Sequence, residues 1–489
     1  MKIYDIIVII IYKNKKEKKI MNDKKTLRKL TFASADIFGG GSFNIVNFLY
    51  PGFLALVVGI NPFWIGAIML IARLWDAITD PIMGNLSDRT KSKIGKRRIY
   101  LIVAAPFVLL SMFLLFFPYQ IEDEILRVVA VLLSYLLFTT VQTVIMIPYY
   151  SLSSEISRDY QVRAKYNSVR LGFSIFSSIL CVALPGIIVN MFKDQPQIGY
   201  PVMSISFGLV FGLSVLITGL FTREEIKSEP VRTKLNIKEM VKPLSLKPFR
   251  QYLEMFLLLQ MTMAIMSGLF FFYVDFYVVG SVTAANQASF VGMIAAALMF
   301  SMQIVALPIY IKMIEKKSKA YAYRVGSFIW IICGVLLFFI PANSNPIYIY
   351  VLAVVMGLGI SGPGLVPHTM YGDVVDVSEV KFKNRLDGQM SGFTNFISKI
   401  AQAIGLSSVM FIIGLAGFTE QQPGAPKILT QPDSAMLAIR LIMMLAPLIF
   451  MGIGIYISYK YKIDYKKQQE IQKFLKEKHI SEEELMASL

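Results

Sequence analysis

Arg73, Asp76 and Asp80 interrupt an otherwise apolar run at spacings of three and four residues. On a helix that spacing puts all three on one face. Two carboxylates a turn apart in a low-dielectric setting can ligate a small hard cation or share a proton. One arginine neutralises only one of them, and a buried charge without a counter-charge is expensive. An intrahelical Arg73–Asp76 network is the structural alternative. Thr79 lies beside the acids, and Thr143, further along the chain, is placed to offer another oxygen. The rest of the sequence offers little other chemistry. His368 and His479 are the only histidines, and Cys181 and Cys333 lie in apolar runs, which points away from a metal cluster or a disulfide framework. No nucleophile–base pair stands out, and Gly39, Gly40 and Gly41 lack the strand–loop–helix setting of a phosphate loop. An enzyme is not expected, and no cofactor beyond a transported ion.

The elements that carry these residues are long and apolar. The chain is 55% hydrophobic and 17% charged, with a mean hydropathy of +0.58, far from the make-up of a soluble domain. Apolar runs long enough to cross a hydrocarbon core recur from end to end. Their expected positions are 31–58, 61–86, 99–118, 125–150, 166–191, 201–221, 252–279, 287–313, 320–341, 346–371, 388–418 and 434–460. This is an all-α integral membrane protein of about twelve spans. Ionisable groups inside such spans face a bundle interior or a wet cavity and mark an ion or substrate path.

The net charge of +17 could suggest nucleic acid, but the basic residues are sorted by side. The loops after spans two, four, six, eight and ten carry Arg89 to Arg98, Arg158 and Arg163, Arg223 to Arg250, Lys316 to Lys319, and Lys381 to Arg385. The opposite loops hold Arg127, Lys193 and Lys427. The basic side is therefore expected to be cytoplasmic, with both termini inside. The polar segment 222–250 divides the chain into six-span halves, 31–221 and 251–460, flanked by tails 1–30 and 461–489. Residues 1–20 read either as a start-site extension or as a basic tail at the lipid surface. The closing tail alternates charge and is expected to be solvated, with a short amphipathic cytoplasmic helix as the alternative. Spans four and ten leave through similar acidic-then-arginine stretches, as expected of a transporter built from repeats with its site between halves.

Three stretches carry a family resemblance: WDAITDPIMGNLSDRTKSKIGKRR, IPYYSLSSEISRDYQVRAKYNSVR and YGDVVDVSEVKFKNRLDGQMSGFTNFISK. The first contains a loop similar to the major facilitator signature, Gly84 through Asp88-Arg89 to Gly95 and a basic cluster, with extra residues before the second glycine. In order and spacing the three resemble the glycoside–pentoside–hexuronide:cation symporters, the group that includes the melibiose carrier. The resemblance covers most of 29–460 and implies the major facilitator fold, a cell-membrane location and symport of a sugar, glycoside or hexuronide with Na⁺ or H⁺. A monomer in the bilayer is expected, with no nucleic-acid partner. By position it implies Asp76 and Asp80 as the cation site, Thr143 as an oxygen ligand and Lys399 as a lysine near the site. Thr79 replaces an asparagine, which bears on sodium selectivity.

The cargo positions depart from the pattern. The melibiose carrier's two sugar-binding carboxylates correspond to Gly40 and Met146, and its tryptophan to Tyr150. With Arg170 and Lys399 the cavity would then be net positive, which suits a hexuronide or another anionic glycoside. A lysolipid or amphiphile carrier is the rival within transport; a non-transporting membrane sensor is the rival outside it. Arg73, Asp88, Arg89, Glu155, Arg163, Asp373, Asp376, Glu379 and Arg385 are expected to form gating pairs at the cytoplasmic mouths. Asp36 is explained by snorkelling or a salt bridge as readily as by binding. The aromatic run Phe270 to Tyr277 reads as lining for a sugar path or, more readily, as a membrane-interface belt, and Pro363 and Pro367 are expected to break span ten near His368.

Overall fold

The computed structural model describes residues 26–156, 160–192, 195–222, 242–280, 285–383, 387–419 and 430–477. Among these, twelve helices are long and apolar enough to cross a membrane. They are α1 (Thr26–Val58), α2 (Pro62–Arg89), α3 (Arg98–Leu115), α4 (Glu124–Glu155), α5 (Tyr160–Met191) and α6 (Pro196–Phe221). Then follow α7 (Lys247–Val279), α8 (Ala285–Lys316), α9 (Lys319–Phe339), α10 (Ile347–Phe382), α11 (Asp387–Leu415) and α12 (Asp433–Lys460). A thirteenth helix, α13 (Tyr465–Glu477), is short and polar.

Local chemistry fixes several helix starts. The Asn61 side chain accepts from the Phe63 amide at 2.8 Å, with Pro62 in the first turn, so α2 begins with a cap and a residue that needs no donor. Asp123 caps α4 in the same way at 2.8 Å, and Ser318 caps α9 at 3.1 Å. Three spans change pitch to a π-helix, over Leu54–Val58, Val274–Val279 and Pro447–Met451.

The first six helices pack largely among themselves, with α3 against α6 and α4, α2 against α4, and α1 against α5. So do the last six, with α10 against α8 and α9, and α7 against α11 and α12. The two groups meet where α2 lies along α11, α5 along α8 and α1 along α7. Closure is evident at the Asn61 end, where the Phe63 and Phe411 rings stand 4.9 Å apart and Phe48 meets Phe271 and Phe300 edge-on.

Two expectations fail on packing grounds. Span ten does not break at its prolines: α10 runs unbroken for 36 residues. Its glycines press onto neighbouring helices; a Cβ at Gly359 would lie 2.8 Å from the Trp330 backbone nitrogen of α9, so tertiary contact holds the helix straight through the missing donors. The aromatic run of α7 is not an interface belt. Phe270, Phe272, Tyr273, Phe276 and Tyr277 are all buried, and the Tyr273 and Tyr277 hydroxyls donate to the Leu337 and Ile340 carbonyls at 2.6 and 3.0 Å. The residues after Lys460 are not simply solvated either. Ile471 of α13 is fully buried, and Gln468 and Gln472 donate to one Asp376 oxygen at 2.9 and 2.6 Å, docking α13 on the end of α10.

Candidate cation and cargo site

α2 presents the acids on its inward face, as the spacing requires. Asp76 is 3% exposed and lies 3.6 Å from Arg73, whose other terminal nitrogen reaches the Asn47 side-chain oxygen of α1 at 3.4 Å. Arg73 therefore does neutralise Asp76 in part, yet the Asp76 Oδ1 atom is buried without a hydrogen-bond partner. An ionised oxygen in that position calls for a cation or a proton. One turn on, Asp80 accepts from Thr143 of α4 at 2.9 Å and forms an ion pair with Lys399 of α11. That pair ties one group of helices to the other. Asp76 feels both Asp80 and Lys399 electrostatically, so the four charges form one cluster. Thr79 does not join it: its hydroxyl donates back to the Trp75 carbonyl of its own helix at 3.0 Å. Among the described residues no group of three His, Cys, Asp or Glu side chains could hold a metal ion, so an ion here would rest on two carboxylates and hydroxyl oxygens.

The residues expected to hold cargo assemble elsewhere, around Asp36. Arg170 lies 3.3 Å from the Asp36 carboxylate and 5.2 Å from the centre of the Tyr150 ring. Met146 is buried beside Gly39. Gly40 does not face open space: a Cβ there would lie 2.8 Å from the Ser174 carbonyl oxygen, so Gly40 serves the close approach of α1 to α5. Arg170 and Lys399 are each matched by a carboxylate, and the net-positive cavity expected from them does not arise.

A cavity of about 160 Å³ does lie between the two groups of helices, and apart from Phe270 of the aromatic run its described walls were not singled out in the sequence. Side chains of α1, α7, α8, α9, α10 and α11 line it, among them Asn44, Asn47, Gln260, Trp330 and Gln402. Polar groups spread over several helices leave no local spacing to detect. Asn47 connects this wall to Arg73 and hence to the cation cluster.

Among the described residues, several mouth residues pair inside one group of helices. Arg97 bonds Asp88 and, at 2.5 Å, the Ser87 hydroxyl, and lies 3.5 Å from Glu155; Lys96 reaches Glu155 at 2.8 Å. Lys319 reaches Asp373 at 2.6 Å. Lys96 and Arg97 belong to the loop expected to serve gating and topology, whereas Lys319 had read as topological charge. Arg89 is exposed and Glu379 half-buried. The Arg163 side chain and Arg385 lie outside the described residues, as do residues 1–20, Arg158, Lys193, Lys427 and most of the segment 222–250.

Residues 31–465 match the family described as "MFS/sugar transport protein". The chain is 26% identical to an uncharacterized symporter of Synechocystis, over 91% of this chain and 96% of that one. It is 24% identical to the sodium-dependent lysophosphatidylcholine symporter 1-B of Danio rerio, over 91% and 89%. It is also 24% identical to the glucuronide carrier protein homolog of Escherichia coli, over 92% and 96%. The crystal structure of the nucleoside transporter NupG superposes with a TM-score of 0.59 at 12% identity, covering 90% of this chain and 98% of that one. Twelve membrane-crossing helices in this arrangement make a multi-pass membrane protein, and the chain belongs to the MFS/sugar transport protein family of symporters.

Proposed function

We propose that this chain is a secondary active transporter of the cell membrane that couples a sugar or glycoside to Na⁺ or H⁺ by alternating access. The observation that carries the reading is the Asp80–Lys399 pair. It is one of the places where the two groups of helices meet, and it joins a carboxylate of the cation cluster to a side-chain ammonium. Lys399 occupies the electrostatic place of the coupling ion. When Na⁺ or a proton arrives at Asp76 and Asp80, Asp80 no longer needs the ammonium, and α2 and α11 are free to separate. Cargo enters at the cavity wall that Asn47 links to Arg73, so cargo and ion bias the same element. With the basic loops in the cytoplasm, both termini are inside and the closed Asn61 end faces out. The tested variant is Asp80→Asn in proteoliposomes. It is expected to abolish accumulation of cargo driven by an imposed Na⁺ or pH gradient while cargo exchange persists. Normal accumulation by this variant would remove the coupling assignment.

A second reading, carriage of a lysolipid, is favoured by the Danio rerio relative and by the four methionines in the cavity wall, Met263, Met266, Met299 and Met356. Flexible thioether side chains accommodate irregular apolar bodies.

A further inference from the structure

The cavity between α1 and α7–α11 differs from the charged cluster beside it. Among the described residues sixteen side chains line it, and none of these is Asp, Glu, Lys, Arg or His. Its polar groups are the amides of Asn44, Asn47, Gln260 and Gln402, the Ser267 hydroxyl and the Trp330 indole. Trp330 is fully buried, and its indole N–H has no hydrogen-bond partner. A buried donor left unmade is costly, and Trp330 belongs to the cavity wall, so an acceptor that reaches the indole from the cavity would satisfy it. Carboxamides each offer a donor and an acceptor, which matches hydroxyl groups that both give and take a proton. The remaining wall is mostly phenylalanine and methionine, suited to an apolar body.

Charge is handled differently in the two places. Arg73 is the charged side chain hydrogen-bonded to the wall, through Asn47, and it also faces Asp76. Arg170 and Lys399 face Asp36 and Asp80. While Asp76 holds Arg73 and Asp80 holds Lys399, before a cation arrives, an anionic cargo group in this cavity would shed its water without gaining a counter-charge, a loss that neutral hydroxyls avoid.

We infer that this cavity takes an uncharged hydroxylated head group joined to an apolar body, with the amides of Gln260 and Gln402 pairing its hydroxyls and the uncharged wall disfavouring a carboxylate. The inference rests on the transport reading and narrows its cargo from sugars in general to neutral amphipathic glycosides or glycerides.

The test compares probes that differ in one group. Phenyl β-glucoside and phenyl β-glucuronide share every atom except those at C6, and a monoacylglycerol and lysophosphatidylcholine form the lipid pair. Binding to the full-length purified protein is read by ligand-dependent thermal stabilisation, which needs no gradient and so stands apart from cation coupling. At least one uncharged probe is expected to bind, and each charged partner about tenfold more weakly or worse. Trp330→Phe removes only the indole donor and is expected to weaken the uncharged probe about tenfold. Gln402→Leu, at a half-buried position, serves as the second variant should the core substitution fail to fold, with the same direction expected. The inference is overturned by equal or tighter binding of the glucuronide or of lysophosphatidylcholine, by failure of both uncharged probes, or by unchanged affinity in the folded variants. Loss of coupling with this selectivity intact would instead count against the cation assignment alone.

Discussion

Lys399 and Asp80 show how one side chain can do two jobs. Each is partly exposed, 30% and 19% by side chain, so the pair is neither a surface bridge nor a sealed one. Removing one partner of a fully buried pair costs about 3–5 kcal/mol, and the exposure here lowers that figure. Lys399→Ala is expected to destabilise the protein in the absence of the coupling ion and to regain more stability than the wild type when the ion is added. Melting curves with and without Na⁺, at two pH values, measure this. An equal gain in both proteins would mean that Lys399 and the ion do not share a place. At this scale the sequence was informative wherever a charge stood in an apolar run: Asp76, Asp80 and Lys399 came together as their positions implied. It was silent on partners that only tertiary structure supplies. For Asp36 a salt bridge was one of the expected readings, but its partner, Arg170 of another helix, was not legible. Thr79 looked like a ligand by adjacency, but its hydroxyl bonds its own helix first.

Helices were legible in number and position because a 20-residue apolar run has few other uses. Their ends and partners were less so. α10 continues to Phe382, well beyond its apolar stretch, because Asp373 and Asp376 are paired and buried rather than solvated. The aromatic run of α7 was misread because an interface belt and a packed core draw on the same residues. α13 has the composition of a solvated tail, but every third or fourth residue turns an apolar or amide group to the bundle. The double variant Gln468→Leu with Gln472→Leu takes two donors from buried Asp376, and a loss of roughly 1–3 kcal/mol per unsatisfied group is expected. Thermal unfolding reads it out; an unchanged midpoint would show that α13 rests on α10 without stabilising it.

At the scale of the molecule, two groups of helices close at the Asn61 end and hold the cation cluster and the cavity between them. Among the described residues, Arg97 pairs with Asp88 and Glu155 inside the first group and Lys319 with Asp373 inside the second. These networks stiffen each group as a unit, which is what rocking of two units about a shared site requires. The cavity was not legible in the sequence, because Asn44, Gln260, Trp330 and Gln402 lie on four helices and look like ordinary interior residues until the helices are assembled. The central claim is that cargo and cation cross together. Its most direct measurement is cation movement caused by cargo in vesicles with no imposed gradient. Adding an accepted glycoside is expected to draw Na⁺ inward, or to make the outside medium more alkaline, and Asp80→Asn is expected to abolish that signal. Cargo uptake with no accompanying cation would contradict the account.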